Sequence, residues 1–248
     1  LYYRNNLFSL INLVQGMLTA EVPNLIFSSS ATVYGDADEL PLEEHHPTKP
    51  ALSPYGNTKK ICEDIIEDTA KAYLTFNAIS LRYFNPIGAH ESATIGELPL
   101  GVPNNLMPYI TQTAAGLRKE LQVYGDDYQT PDGTAIRDYI HVVDLANAHV
   151  KAVQRLLAGR QKARYEIFNL GTGQGRSVLE VIHSFEKTSG QKLPYRIVAR
   201  RPGDVERMYA ATDRANRELS WQAEKSLDEM TASAWRWEQK IRGPEIVK

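Results

Sequence analysis

Alternation of short apolar runs with helix-length amphipathic segments is the feature that most narrows the folds open to this chain. Apolar runs at 24–29, 77–83 and 165–170 alternate with helical patterns, the first two of which lie near 5–20 and 54–73. Parallel strands are buried on both faces and need helical crossovers to connect them. The sequence therefore predicts an α/β fold built on a mainly parallel sheet.

The composition and periodicity of the sequence change after Pro86. Residues 87–104 are rich in glycine and proline and show little periodicity, which is typical of a long functional loop or a domain junction. Asp144 is expected to cap the helix that follows it. The other predicted elements are helices near 105–117, 145–157 and 178–189, strands at 121–124, 138–144 and 195–198, and a last amphipathic helix ending near Ile241.

Composition excludes several classes of partner. The formal net charge is −2, from 28 basic and 30 acidic residues, so no basic excess exists to neutralise nucleic-acid phosphates. No apolar run approaches the roughly 18 residues expected of a membrane span. The six histidines show no metal-ligand spacing with cysteines or carboxylates, so no metal site is expected. The single cysteine, Cys62, suits a reducing compartment, and the sequence predicts a cytoplasmic protein.

A tyrosine and a lysine one helical turn apart carry the clearest chemical signal. Tyr55 and Lys59 share one face at the start of the second helix, and Ser30 ends the preceding strand. Such a pair alone is common on helix surfaces, where the lysine snorkels to water. The serine-rich strand end, the inward position of Lys59 and the Ser53-Pro54 helix start favour a catalytic role instead.

The predicted role of Tyr55 is that of a general base. An unperturbed phenol has a pKa of about 10 and is a poor base at neutral pH. A nearby Lys59 ammonium and the positive end of the helix both favour the phenolate, so we expect them to lower the pKa of Tyr55. Tyr55 would then accept a proton from a hydroxyl group, and Ser30 would hydrogen-bond the oxygen of that hydroxyl.

Longer sequence blocks resemble the extended short-chain dehydrogenases/reductases. Within that family, the later blocks are similar to the nucleotide-sugar 4-epimerases, and they occur in the right order through nearly the whole chain. The blocks are Ser28–Gly35, Ser53–Lys59, Leu81–Ala89, Pro103–Pro108, Gly133–Asp144 and Asn169–Gly173.

The resemblance implies an NAD-dependent isomerase that interconverts UDP-glucose and UDP-galactose through transient oxidation at C4, with Tyr55 as the base. It implies a catalytic triad of Ser30, Tyr55 and Lys59. The residues implied to contact NAD are Asn5, Ser30, Tyr55, Lys59 and Phe84. Those implied to hold the UDP-hexose substrate are Asn85, Asn105, Leu106, Gln122, Tyr124, Arg137, Arg201 and Asp204. Met208 would occupy the position that gates N-acetylated sugars, whose acceptance stays open.

The resemblance also implies a partial Rossmann-type sheet beside a smaller α/β domain. Residues 1–86 would be the C-terminal part of the NAD-binding domain and 87–248 mainly the UDP-sugar-binding domain, with segments near 138–172 returning to the first. The family's glycine-rich fingerprint would precede residue 1, because Gly171–Gly175 lacks its spacing. We therefore expect an N-terminally truncated chain that by itself holds no NAD and is inactive.

Other functions stay open at this point. Another UDP-sugar 4-epimerase of the same family is hard to separate by sequence, and truncation would also suit a catalytically dead nucleotide-sugar-binding fragment. A 4,6-dehydratase is disfavoured, because Ala31 and Thr32 stand where an acid and a base would be needed. The apolar helices near 5–20 and 54–73 predict a homodimer interface.

Overall fold

The computed structural model describes residues 1–243, so the last five residues of the predicted second domain lie outside the described part. In chain order, the helices are α1 (Ser9–Thr19), α2 (Pro54–Ala72), α3 (Leu106–Ala114), α4 (Val142–Leu157), α5 (Val178–Ser189), α6 (Asp213–Glu218) and α7 (Leu227–Arg242). The strands are β1 (Asn24–Ser30), β2 (Asn77–Tyr83), β3 (Asn85–Ile87), β4 (Leu121–Tyr124), β5 (Ile136–His141), β6 (Tyr165–Leu170), β7 (Gly175–Ser177), β8 (Tyr195–Val198) and β9 (Arg207–Met208). A π-helical segment, Tyr3–Phe8, precedes α1, and a 3₁₀ turn, Ala31–Tyr34, follows β1.

The chain forms two compact units, each assembled from separate stretches. Unit 1 comprises Leu1–Phe84, Ala146–Gly173 and Ala210–Gln222. Unit 2 comprises the remaining stretches, Asn85–Leu145, Gln174–Tyr209 and Ala223 onwards. The returning segment begins at 146 rather than near 138, because β5 pairs within unit 2. The return of 210–222 to unit 1 was not predicted.

Unit 1 contains a parallel sheet in the order β1-β2-β6. Helix α2 begins where the sequence predicts it, with the Ser53 hydroxyl accepting from the Gly56 amide at 3.1 Å and a proline in the first turn. The core buries apolar side chains from α1, α2 and the strands, among them Val14, Ile66 and Leu25. The register aligns Ser30 with Tyr83, so the carboxyl ends of β1 and β2 lie side by side.

Unit 2 carries shorter strands and a helical core. Strand β5 pairs in parallel with β3 and β9 and antiparallel with β7, while β4 and β8 form a separate parallel pair. Helices α3, α5 and α7 pack on one apolar cluster. In it the rings of Phe185 and Trp235 meet edge to face, with their centres 5.7 Å apart. The α/β architecture with mainly parallel pairing is the predicted one.

The predicted cap at Asp144 is wrong. Helix α4 begins at Val142, directly after β5, so Asp144 lies in the first helical turn. Its buried carboxylate instead accepts from the backbone amides of Glu224 and Lys225, at 3.1 and 2.9 Å. The side chain therefore ties the start of α4 to the segment before α7, which no local pattern could reveal.

Candidate active-site residues

The serines at the end of β1 face alternate sides of the strand, as the two-residue period requires. The Ser29 hydroxyl donates to the Glu63 carboxylate at 2.5 Å, on the face that α2 covers. That carboxylate also pairs with Arg82, whose side chain is almost fully buried. Ser28 and Ser30 therefore present their side chains on the opposite face of the strand.

The predicted catalytic residues come together at this strand end. Ser30 is buried and lies close enough to the half-buried Tyr55 phenol to lower the pKa of that phenol, and the Ser30 hydroxyl oxygen accepts from the Thr32 amide at 3.2 Å. The Lys59 ammonium lies 5.6 Å from the centre of the Tyr55 ring and donates to the Ser28 carbonyl at 2.8 Å. The Ser30 hydroxyl at the end of β1 thus lies beside the Tyr55 phenol and the Lys59 ammonium, which are one turn apart at the start of α2.

The pKa of Tyr55 shifts opposite to the predicted direction. Burial raises the pKa of the phenol, the hydrogen bond with Ser30 lowers it, and the nearby Tyr2 phenol raises it. Burial also lowers the pKa of Lys59. The expected acidification of Tyr55 by Lys59 is wrong for this structure, because the ammonium binds the Ser28 carbonyl and desolvation outweighs the favourable contacts.

Asn5 and Phe84, the other two predicted cofactor residues, also belong to unit 1. Asn5 is exposed in the π-helical segment, which is attached to α2 by a hydrogen bond from the neighbouring Asn6 amide to the Thr58 hydroxyl at 2.8 Å. Phe84 is buried, and its amide donates to the Leu170 carbonyl at 3.2 Å. All five predicted NAD-contacting residues are therefore in one unit.

Sequence reasoning missed a second hydrogen-bonded group beside the triad. The Tyr83 hydroxyl donates to the Ser28 hydroxyl at 2.6 Å and is hydrogen-bonded to the His149 Nε2 atom. Burial raises the pKa of Tyr83 to about 12. Tyr83 lies within one of the family-like blocks, but only the strand register places it opposite Ser30.

The eight predicted substrate residues all belong to unit 2. Gln122 and Tyr124 share one face of β4, where the Tyr124 hydroxyl donates to the Gln122 side-chain Oε1 atom at 3.0 Å. The Arg201 guanidinium lies 4.7 Å from the centre of the Tyr124 ring. These three side chains form one continuous polar and aromatic surface.

Arg137 and Asp204 are paired with each other. The partly buried Arg137 guanidinium forms an ion pair with the Asp204 carboxylate and donates to the Val205 and Ile136 carbonyls, both at 2.7 Å. The sequence predicted each residue as a separate ligand contact, and nothing in it indicated this pair. Binding of an anion by Arg137 would have to compete with Asp204.

The remaining predicted substrate residues lie at element starts. Asn85 opens β3 and pairs with Tyr139 of β5, and Leu106 opens α3. Asn105 occupies the N-cap of that helix, but its side-chain amide donates to Glu97 at 2.8 Å. The N-terminus of α3 is thus framed by two of the predicted residues.

Two classes of feature have no counterpart within residues 1–243. No group of three or more His, Cys, Asp or Glu side chains could hold a metal ion there. None of the helices in that range is long and apolar enough to cross a membrane.

Comparison with known proteins identifies the family. A family model described as GDP-mannose 4,6 dehydratase matches residues 1–234. The UDP-glucose 4-epimerase of Mus musculus is 52% identical over 237 residues, which is 96% of this chain and 67% of the relative. That of Yersinia pestis is 49% identical over 239 residues, covering 96% and 70%. The chain belongs to the UDP-glucose 4-epimerase family of extended short-chain dehydrogenases/reductases.

Solved structures agree with this placement. The UDP-glucose 4-epimerase of Stenotrophomonas maltophila, with bound NAD and formylated UDP-arabinopyranose, matches with a TM-score of 0.93 at 50% identity, over 97% of this chain and 70% of that one. The Bifidobacterium longum enzyme, in complex with NAD+ and UDP, matches with a TM-score of 0.91 at 50% identity, over 96% and 70%. These matches confirm the predicted Rossmann-type α/β class.

Proposed function

We propose that this protein interconverts UDP-glucose and UDP-galactose by inverting the configuration at C4 of the sugar. The family supports this assignment, and the proximity of Tyr55 to both Ser30 and Lys59 supports it most directly. Tyr55 is the general base and acid. Ser30 hydrogen-bonds the phenol oxygen in the reacting complex, and Lys59 supplies positive charge beside the phenol.

The side chains of unit 1 fit the nicotinamide end of NAD by their chemistry. Ser30 and Tyr55 offer hydroxyl groups and Lys59 an ammonium, all at one strand end. NAD, when bound, supplies reversible hydride acceptance at C4 and a positive charge. Because burial raises the pKa of the Tyr55 phenol, the phenol keeps its proton at neutral pH. Tyr55 therefore needs such added positive charge to accept the proton of the sugar 4-hydroxyl. The same phenol then returns that proton to the epimeric oxygen.

The side chains of unit 2 hold the nucleotide in this proposal. Arg137 and Arg201 are suited to forked hydrogen bonds with diphosphate oxygens, and Asp204 to accepting from ribose hydroxyls. Because the partly buried Arg137 already pairs with Asp204, a bound diphosphate replaces or shares this carboxylate as the charge partner of Arg137. We accordingly assign unit 1 to NAD and unit 2 to the UDP-sugar.

Substitution of Tyr55 tests the proposal. The protein, expressed from its complete reading frame, is incubated with UDP-galactose, and formation of UDP-glucose is followed with a coupled dehydrogenase. Tyr55→Phe removes the proton acceptor and should lower kcat by about 10²- to 10⁴-fold. Lys59→Met should also lower kcat, whereas Lys60→Met on the same helix should leave it unchanged. Undiminished turnover by Tyr55→Phe would refute the assignment.

We also propose a homodimer formed through the helices near 5–20 and 54–73. Phe8 and Leu13 support it, since these apolar residues are 62% and 52% exposed on the first of these helices. Light scattering of the native protein should give twice the mass of one chain, and that of the Leu13→Glu variant should give the mass of one chain. A monomeric native protein would contradict the dimer.

The proposed compartment is the cytoplasm. Cys62 supports it, because this free, buried thiol is the only cysteine in the sequence.

A further inference from the structure

The Lys59 ammonium is held by partners that carry no charge. Its Nζ atom donates to the Ser28 carbonyl at 2.8 Å and lies over the Phe27 ring, 5.0 Å from the ring centre. Within residues 1–243, Lys59 forms no ion pair. Glu63 stands one turn further along α2, at a spacing that allows pairing with a lysine, but its carboxylate is bound to Arg82. The positive charge of Lys59 is therefore fixed in place without being neutralised.

The Phe27 ring is suited to hold this ammonium, because its own position is fixed from two sides. Its backbone belongs to β1 and is in register with Ser80 of β2. Its partly buried ring packs against the apolar core to which α1 and α2 contribute. The face of an aromatic ring attracts a cation within about 6 Å of the ring centre, most strongly where water is excluded.

Lys59 needs such a partner because of its surroundings. Burial lowers the pKa of Lys59, which means that it destabilises the charged form. The Ser28 carbonyl satisfies one of the three N–H groups of the ammonium. Attraction to the Phe27 ring face offsets part of the remaining cost and does so without adding a negative charge that would cancel the positive one.

We propose that Phe27 is a positioning residue that keeps the charged Lys59 beside the Tyr55 phenol during epimerisation. The ammonium lies 5.6 Å from the centre of the Tyr55 ring, so both aromatic rings contact the same cation. Without the Phe27 ring face, Lys59 loses one of its attractive contacts and keeps its proton and its place less firmly. This inference rests on the proposed function, since the phenolate that Lys59 favours is the base of that reaction.

Fluorinated phenylalanines test the ring face with little change in its shape. Each fluorine withdraws electron density from the ring face, so mono-, di- and trifluorinated phenylalanine in place of Phe27 should weaken the attraction stepwise. The protein is expressed from its complete reading frame. With the trifluorinated ring, kcat for UDP-galactose should fall about fivefold, while KM stays within about twofold because unit 2 is proposed to hold the substrate. The same replacement at Phe76, a buried ring of the same core, is the matched control and should leave kcat unchanged.

Titration of Lys59 by NMR gives a readout that does not depend on turnover. The pKa of Lys59, followed through the signal of its isotope-labelled Cε atom, should fall by about 0.5–1 unit with the trifluorinated ring, because the charged form loses an attractive partner. The titration uses Cys62→Ala protein. Burial raises the pKa of the Cys62 thiol to about 11, and this thiol acts on Lys59 from the same helix.

The outcomes separate positioning from support of the fold. Unchanged kcat with the trifluorinated ring would overturn the inference, and so would a loss of kcat during which the pKa of Lys59 stays constant. In a Lys59→Met background the ring faces no cation, so fluorination of Phe27 should cause no further loss of kcat. An additive loss in that background would show that Phe27 only supports the fold.

The native protein distinguishes this inference from the proposed function. If the native protein epimerises UDP-galactose and fluorination of Phe27 has no effect, the proposed function stands and the role of Phe27 fails. If the native protein does not epimerise UDP-galactose but the pKa of Lys59 falls as expected, the proposed function fails and the contact between Phe27 and Lys59 has no catalytic role.

Discussion

The buried ion pair behind the end of β1 allows a quantitative prediction. Arg82 and Glu63 form two hydrogen bonds, from Nε at 3.0 Å and Nη2 at 2.7 Å, with side chains only 4% and 6% exposed. Ser29 donates to the same carboxylate, and the Arg82 guanidinium lies 4.7 Å from the centre of the Tyr34 ring. Glu63→Gln keeps the shape but removes the carboxylate with which the buried guanidinium is directly paired. Removing one partner of such a pair costs about 3–5 kcal/mol.

Hydrogen exchange of backbone amides measures this loss of stability locally. The amides of β2, which carries Arg82, should exchange about 10²- to 4 × 10³-fold faster in Glu63→Gln, since each 1.4 kcal/mol is a factor of ten. The strands of unit 2 serve as the internal reference. Asp64→Asn, at the exposed neighbouring position, is the matched control and should change exchange by less than about threefold. Equal rates in Glu63→Gln and Asp64→Asn would show that the pair does not stabilise unit 1.

Two further predictions concern pH and the cofactor. Hydrogen bonds from the Ser226 amide, Lys225 and the Ser226 hydroxyl lower the pKa of Glu229, in the capping box of α7, to about 2. Its contribution to stability is therefore complete above the ordinary glutamate pKa and lost as pH falls towards about 2, so the difference in urea midpoint between native and Glu229→Ala protein should shrink on acidification; a constant difference would contradict this. The 248-residue chain alone should purify without NAD absorbance, because its sequence contains no G-x-G-x-x-G phosphate loop; retained cofactor would refute it.

Elements with a strong local pattern were predictable from sequence. Strand β2 has the predicted bounds because its apolar run is long and ends in clear breaks, and α2 begins at the predicted serine cap. The shortest strands, β3, β7 and β9, were missed, because two or three residues show no periodicity. Their position depends on pairing with β5, which is a tertiary contact.

The same limit applies to side chains. The helical pattern near 54–73 gave no sign that Glu63 is buried, because its partner, Arg82, comes from β2. The meeting of Ser30, Tyr55 and Lys59 was predictable, since a strand end and a helix start lie close in an α/β unit. The Arg137–Asp204 pair joins residues 67 positions apart, and no spacing rule reaches so far.

The interleaving of the two units has a consequence for how the protein is made. Helix α6 belongs to unit 1, where Glu218 receives two hydrogen bonds from Arg155, yet it is encoded after most of unit 2. A ribosome must therefore translate the chain as far as Gln222, past most of unit 2, before unit 1 can close. No single proteolytic cut or stop codon can release either unit whole.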